Sequence, residues 1–189
     1  MTPPIVVIPK PGDCVTLYKS TAQECYNISK DWKRKERIDY PDGSNTEWFL
    51  FGELPFGHGW VAKIGRGDRP SNHYRLGGAW VDPAYRSSGV SMVYFSALYK
   101  YALHKMPGPL MRMTTRSWKD SRLTQHHIKN GWLPIREFKR GFIESEKVIM
   151  YQEGTLIQVL GSTTHPLTGL ADFNDMDWAF PQIVQHKEL

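Results

Sequence analysis

The stretch Gly78-Ala79-Trp80-Val81-Asp82-Pro83-Ala84-Tyr85-Arg86-Ser87-Ser88-Gly89-Val90-Ser91 reads as a strand that ends in a tight loop and opens directly into the strongest helical pattern of the chain. Such a loop exposes a row of backbone N–H groups at the positive end of a helix dipole, which suits a pyrophosphate. Gly89 lets the backbone approach a phosphate closely, and the hydroxyls of Ser87, Ser88 and Ser91 add donors beside the Arg86 guanidinium. A serine-rich helix cap without a ligand has the same appearance, so the loop alone does not decide between the two.

The elements that must hold this loop can be read from the pattern around it. Residues 3–11 are proline-rich and read as an extended lead-in, residues 15–18 as a first strand. Ser20 with Gln23 and Thr21 with Glu24 give two registers of capping box, opening a helix that the stripe Ala22, Cys25, Tyr26 and Trp32 carries to about Arg37. Residues 48–54 and 60–64 read as strands joined by a turn at Pro55-Phe56-Gly57-His58-Gly59, and residues 74–81 as a third strand. In that strand Gly77-Gly78 suggests a bulge or a close backbone approach. Val90, Val93, Tyr94, Ala97, Leu98, Tyr101 and Ala102 recur at helical spacing, a helix buried on one face. A strand over 110–115, a helix over 118–130 with Gly131 as its left-handed cap, and strands over 133–139 and 147–151 complete the order β, α, three β, α, β, α, β, β. The expected class is α/β or α+β.

Order and loop together resemble the GNAT (GCN5-related) N-acetyltransferase superfamily, whose members carry Arg/Gln-x-x-Gly-x-Gly/Ala between the fourth strand and third helix. Here the motif is Arg86-Ser87-Ser88-Gly89-Val90-Ser91, with Ser91 in place of Gly or Ala, after Val81-Asp82-Pro83. A second stretch resembles the family's later motif: Asp120 stands for its Asn, Leu123 for a small residue, His127 for its Tyr and Gly131-Trp132 for Gly-Phe. The resemblance covers about 15–151. It implies a mixed, mostly antiparallel central sheet flanked by helices, and direct transfer of an acetyl group from acetyl-CoA to a primary amine in a ternary complex. It further implies that pantetheine pairs along Ala79, Trp80 and Val81, that the pyrophosphate sits on Arg86, Ser87, Ser88, Gly89, Val90 and Ser91, and that Asp120 joins the cofactor site. An alkylammonium acceptor must also lose a proton, at a cost of ~4 kcal/mol near neutral pH. The family's usual acid or His position on the fourth strand is Arg75 here, which cannot act as a base; His73, two residues earlier, is the nearest substitute, with Glu53 on a neighbouring strand as another. His127, in place of the Tyr, is the expected donor to the leaving thiolate, since an imidazolium can do the same work. Each has an ordinary reading as well: a turn histidine, a strand-end charge, and a polar helix pair His126-His127.

Composition bounds the rest. At 189 residues with 40% hydrophobic and 13% aromatic residues, the chain can bury a core without staples. Cys14 and Cys25 lack metal-ligand spacing and suggest neither a metal site nor a disulfide framework, as suits a reducing compartment. No apolar run has the length of a signal core or a membrane span, so a soluble, cytoplasmic protein is expected. Residues 1–151 carry a net +9 and 152–189 a net −4, which divides the chain into a lead-in over 1–14, a basic domain over 15–151 and an acidic C-terminal extension. The basic body favours an anionic partner, and Lys30-Asp31-Trp32-Lys33-Arg34-Lys35-Glu36-Arg37 keeps a nucleic-acid-binding or modifying protein open as an alternative. A catalytically degenerate structural or interaction protein is the other alternative, and a homodimer bridged by the acidic tail is left open. The family resemblance implies that the acceptor, whether small molecule, protein or aminoacyl-tRNA, lies against residues 38–46 and 140–146.

Overall fold

The computed structural model describes residues 13–30, 45–53, 55–65, 72–86, 90–105, 108, 110–152, 155–160 and 179–184, with side chains placed from Cys14 to Ile149. The elements follow in the order β1 (Asp13–Ser20), α1 (Ala22–Ser29), β2 (Thr46–Phe51), β3 (Gly57–Ile64) and β4 (His73–Val81), then α2 (Val90–His104) and β5 (Leu110–Trp118). After them come α3 (Arg122–Lys129), β6 (Leu133–Glu137), β7 (Phe142–Gln152), β8 (Thr155–Leu160) and β9 (Ala179–Val184). All the strands belong to one sheet of order β6-β7-β5-β4-β3-β2-β1-β9, with β8 sharing β7's outer edge with β6. Pairing is antiparallel except for β4 with β5 and β1 with β9. The mixed, mostly antiparallel sheet with flanking helices is the expected class.

Each sheet face has its own core. On one, Cys25 of α1 packs with Trp48, Leu50, Trp60 and Ala62. On the other, alternate residues such as Leu17, Phe49, Phe51, Val61 and Leu76 meet α2 through Val93, Tyr94, Leu98 and Ala102. The one-sided stripe expected of α2 falls short of what is found: twelve of its fifteen residues are buried. The reason is tertiary, because α2 also carries α3 and Trp132 on its outer side, through the Phe95–His127 and Tyr99–Trp132 ring contacts.

Several boundaries move for physical reasons. Gly57-His58-Gly59, expected as turn, is the start of β3. A Cβ at Gly57 would lie 2.7 Å from the Phe51 ring, and one at Gly59 2.6 Å from Leu98, so these glycines answer to close packing and not to a turn. β5 runs on to Trp118 and α3 starts only at Arg122, because the Ser121 side chain caps the helix by accepting the Thr124 N–H. Thr21 caps α1 in the same way through the Glu24 N–H; the continuation of that helix to Arg37 lies outside the described residues. Past residue 151, taken as the domain edge, backbone pairing continues into β8 on β7 and β9 on β1.

Candidate active site

β4 and β5 run side by side only from His73↔Arg112 to Leu76↔Thr115. At the end of that ladder the Thr115 hydroxyl donates to the Leu76 carbonyl at 3.0 Å, and beyond it the strands part. The parting coincides with an irregularity on the other side of β4, where the register with β3 passes from His58↔Trp80 to Trp60↔Gly77. Gly59 therefore faces two residues, Gly78 and Ala79, which is a β-bulge at the glycine pair. Gly78 has φ +58°, and a Cβ on it would lie 2.3 Å from the Trp60 ring, as would one on Gly77. Only glycine fits both positions.

The bulge leaves the stretch Ala79, Trp80 and Val81 as an edge facing the gap to β5. The indole N–H groups of Trp60 and Trp80, beside this edge, are buried with no hydrogen-bond partner among the described residues. Buried donors without acceptors are costly. The strand ends at Val81; the Asp82 carboxylate then accepts the Ala84 N–H, and a 3-10 turn over Pro83–Tyr85 follows. Arg86 folds back on the strand: its Nε donates to the Val81 carbonyl at 2.9 Å and its guanidinium lies 4.8 Å from the Trp80 ring. Ser87, Ser88 and Gly89 lie outside the described residues. Val90, buried, begins α2, and Ser91 is half-buried on its first turn.

The remaining expected residues fall elsewhere. His73 sits five residues before Gly78, roughly 16 Å along the strand. Both ring nitrogens are engaged: Arg112 donates to Nδ1 at 3.5 Å, so Nε2 carries the proton and donates to Thr114 Oγ1 at 2.7 Å. Burial, and then the Arg112 and Arg75 charges, lower its pKa to about 4, leaving a weak base with its lone pair occupied. Arg75 is tied to Glu144 at 3.8 Å, which also takes Arg116 at 2.9 Å. Glu53 is exposed, and Asp120 is exposed in the turn before Ser121 rather than on a helix. His127 does point inward, as its spacing requires, but it goes all the way: it is 0% exposed, with its ring 4.6 Å from Phe95 and 5.5 Å from Trp132. Burial, then the neighbouring His126 and Lys147, push its pKa down to about 3. The imidazolium needed for proton donation is thus disfavoured at this position. No group of three or more His, Cys, Asp or Glu among the described residues is arranged to hold a metal.

No protein-family model matches the sequence, and no curated protein matches it. Solved structures do. A spermidine N-acetyltransferase chimera of Vibrio cholerae SpeG and hSSAT superposes with a TM-score of 0.52 at 11% identity, over 72% of this chain and 94% of that one. A domain from Methanocaldococcus jannaschii gives 0.51 at 9% identity, over 70% and 96%. The chain has the GNAT fold. An N-acetyltransferase of Thermoplasma acidophilum, PaiA, solved with coenzyme A, gives a TM-score of 0.43 at 15% identity over 57% of this chain. Of that chain, of a chain from Exiguobacterium and of the GNAT domain of S. lividans PAT, this one spans less than two thirds, 62–64%.

Within this GNAT fold the residue that sequence reasoning passed over is His58. It lies on β3, fully buried, with Nδ1 2.7 Å from the Gly78 carbonyl and Nε2 2.9 Å from Ser29 Oγ on α1. One signal was available. On one face of β3 the residues His58, Trp60, Ala62 and Ile64 alternate, and a lone polar group in such a row must find a buried partner. Among the described residues no helix is long and apolar enough to cross a membrane.

Proposed function

We propose that this protein is an acetyl-CoA-dependent N-acetyltransferase that transfers the acetyl group directly to a primary amine. The observation that carries the reading is the bulge at Gly77-Gly78 placed where the β4–β5 ladder ends, which turns Ala79, Trp80 and Val81 into an open edge leading to the N-terminus of α2. A pantetheine arm is an extended chain of amides, so an unpaired strand edge suits it as a further strand would, and the helix N-terminus suits a pyrophosphate. The buried Trp60 and Trp80 N–H groups fit the same ligand, being donors in want of acceptors.

When bound, acetyl-CoA supplies an activated acetyl group. The chain's own residues hold the edge open, exclude water with the Trp48, Trp60 and Trp80 rings, and aim backbone N–H groups at the place where negative charge develops. His73 and His127 are given no part in proton transfer, because one has its lone pair occupied and the other has lost its charged form; water relays the acceptor's proton. Those same two facts favour, as a second reading, a GNAT-like interaction protein that binds the cofactor without turnover. Calorimetric titration with acetyl-CoA and CoA, followed by an acceptor panel of polyamines, peptides and aminoacyl-tRNA read by free-thiol release, separates the readings. Binding with thiol release supports the enzyme, and binding without it the interaction protein. Absence of acetyl-CoA binding ends both.

A further inference from the structure

The bulge peptide needs something to hold its direction. Gly78 and Ala79 have left the register with β3, so the Gly78 carbonyl has no ladder partner of the ordinary kind. The His58 ring takes it: Nδ1 stands 2.7 Å from that oxygen. A carbonyl only accepts, so the proton must be on Nδ1. The other ring nitrogen, Nε2, stands 2.9 Å from Ser29 Oγ of α1, whose single proton is shared between that nitrogen and the Cys25 carbonyl, 2.7 Å away. Its edge meets the Trp48 ring at 5.8 Å and 64°.

The consequence follows from the planarity of the peptide. In a planar trans unit the N–H points opposite to the C=O. With the Gly78 carbonyl aimed at His58 on the β3 side, the Ala79 N–H is turned away from β3, toward the gap that β5 has left. Resting on the proposed function above, we infer that His58 is a positioning residue: it sets the orientation of the Gly78–Ala79 peptide and so presents the Ala79 N–H to the thioester carbonyl. The aim of a backbone donor is thereby governed by a side chain on the neighbouring strand, which is tied in turn to α1.

The test uses the full chain and compares acetyl-CoA with CoA, since only the first carries the carbonyl. In His58→Leu, acetyl-CoA affinity should fall roughly tenfold more than CoA affinity, the size expected for one aimed hydrogen bond. His58→Asn, whose Nδ2 can stand in for Nδ1, should recover most of that difference. Nitrogen-15 spectra of the parent should show the His58 ring protonated at Nδ1, which tests the bond to the Gly78 carbonyl even if His58→Leu does not fold. Acetyl-CoA binding by the parent that His58→Leu leaves unchanged relative to CoA overturns this inference alone, as does a ring protonated only at Nε2. A parent protein that binds no acetyl-CoA overturns the proposed function, and this inference with it.

Discussion

Gly78→Ala puts the placement of the bulge to a quantitative trial. The residue has φ +58°, and the added methyl would stand 2.3 Å from Trp60 Cδ1 and 2.5 Å from its Nε1. Left-handed backbone costs a non-glycine residue about 1–2 kcal/mol. Forcing a methyl into a filled core costs about 1–3 kcal/mol more, since the indole is itself pinned against Trp48 at 6.5 Å. The sum, roughly 2–5 kcal/mol, is a large part of a stability of about 5–15 kcal/mol. Urea unfolding monitored by tryptophan fluorescence reads it directly, and the melting temperature should drop on the order of 5–20 °C. The two components can be separated by a cycle with Trp60→Val, which clears the space and leaves the backbone strain. The double variant should then be more stable than the summed single effects by about 1–3 kcal/mol. A Gly78→Ala protein within about 0.5 kcal/mol of the parent would refute the contact between bulge and indole.

Three further outcomes are expected. The His127 pKa is lower folded, about 3, than unfolded, near 6.5, so the unfolded state binds the extra proton between those values. This contribution is therefore complete above pH 6.5 and is lost toward pH 3, at up to about 1.4 kcal/mol per unit. His127→Phe should flatten the urea midpoint measured from pH 7.5 to 4.5, and an unchanged slope would place the ring in solvent. Gly89→Glu should abolish acetyl-CoA binding in calorimetry through bulk and charge. Arg86→Ala, which frees the Val81 carbonyl it now holds, should weaken binding less; equal affinity in parent and Gly89→Glu would remove the loop from the site. Truncation after Glu153 deletes β8 and β9 and uncovers backbone edges on β7 and β1. It should give an aggregated or much less stable chain by light scattering and thermal melts, and a soluble, equally stable truncation would show that those strands contribute little.

What was legible in the sequence was local. The helical spacing of α2, the capping pair at Thr21 and Glu24 and the positive-φ glycine at Gly131 after α3 all rest on residues close in the chain, and the bulge showed through its glycine pair although Trp60, which requires it, lies on another strand. What escaped depends on partners far away. Gly57 and Gly59 looked like turn residues because Phe51 and Leu98, which demand their small size, belong to another strand and to α2. His127 was correctly turned inward by its spacing, yet only Phe95 and Trp132 make its surroundings too apolar for a charge. The acidity of residues 152–189 suggested a separate extension, since net charge carries no trace of hydrogen-bond pairing. β9 joins β1 in parallel, a pairing that no short-range pattern announces.

That last pairing sets an order on assembly. β9 comes about 160 residues after β1, so the ladder between them closes a long loop, and such contacts form late. At about 5–20 residues per second a growing chain emerges with β1 already made and its outer partner still unsynthesised for roughly ten seconds to half a minute. During that interval the outer edge of β1 is a template open to any extended chain nearby. The nascent protein is accordingly in need of chaperoning at β1 until β9 has been made.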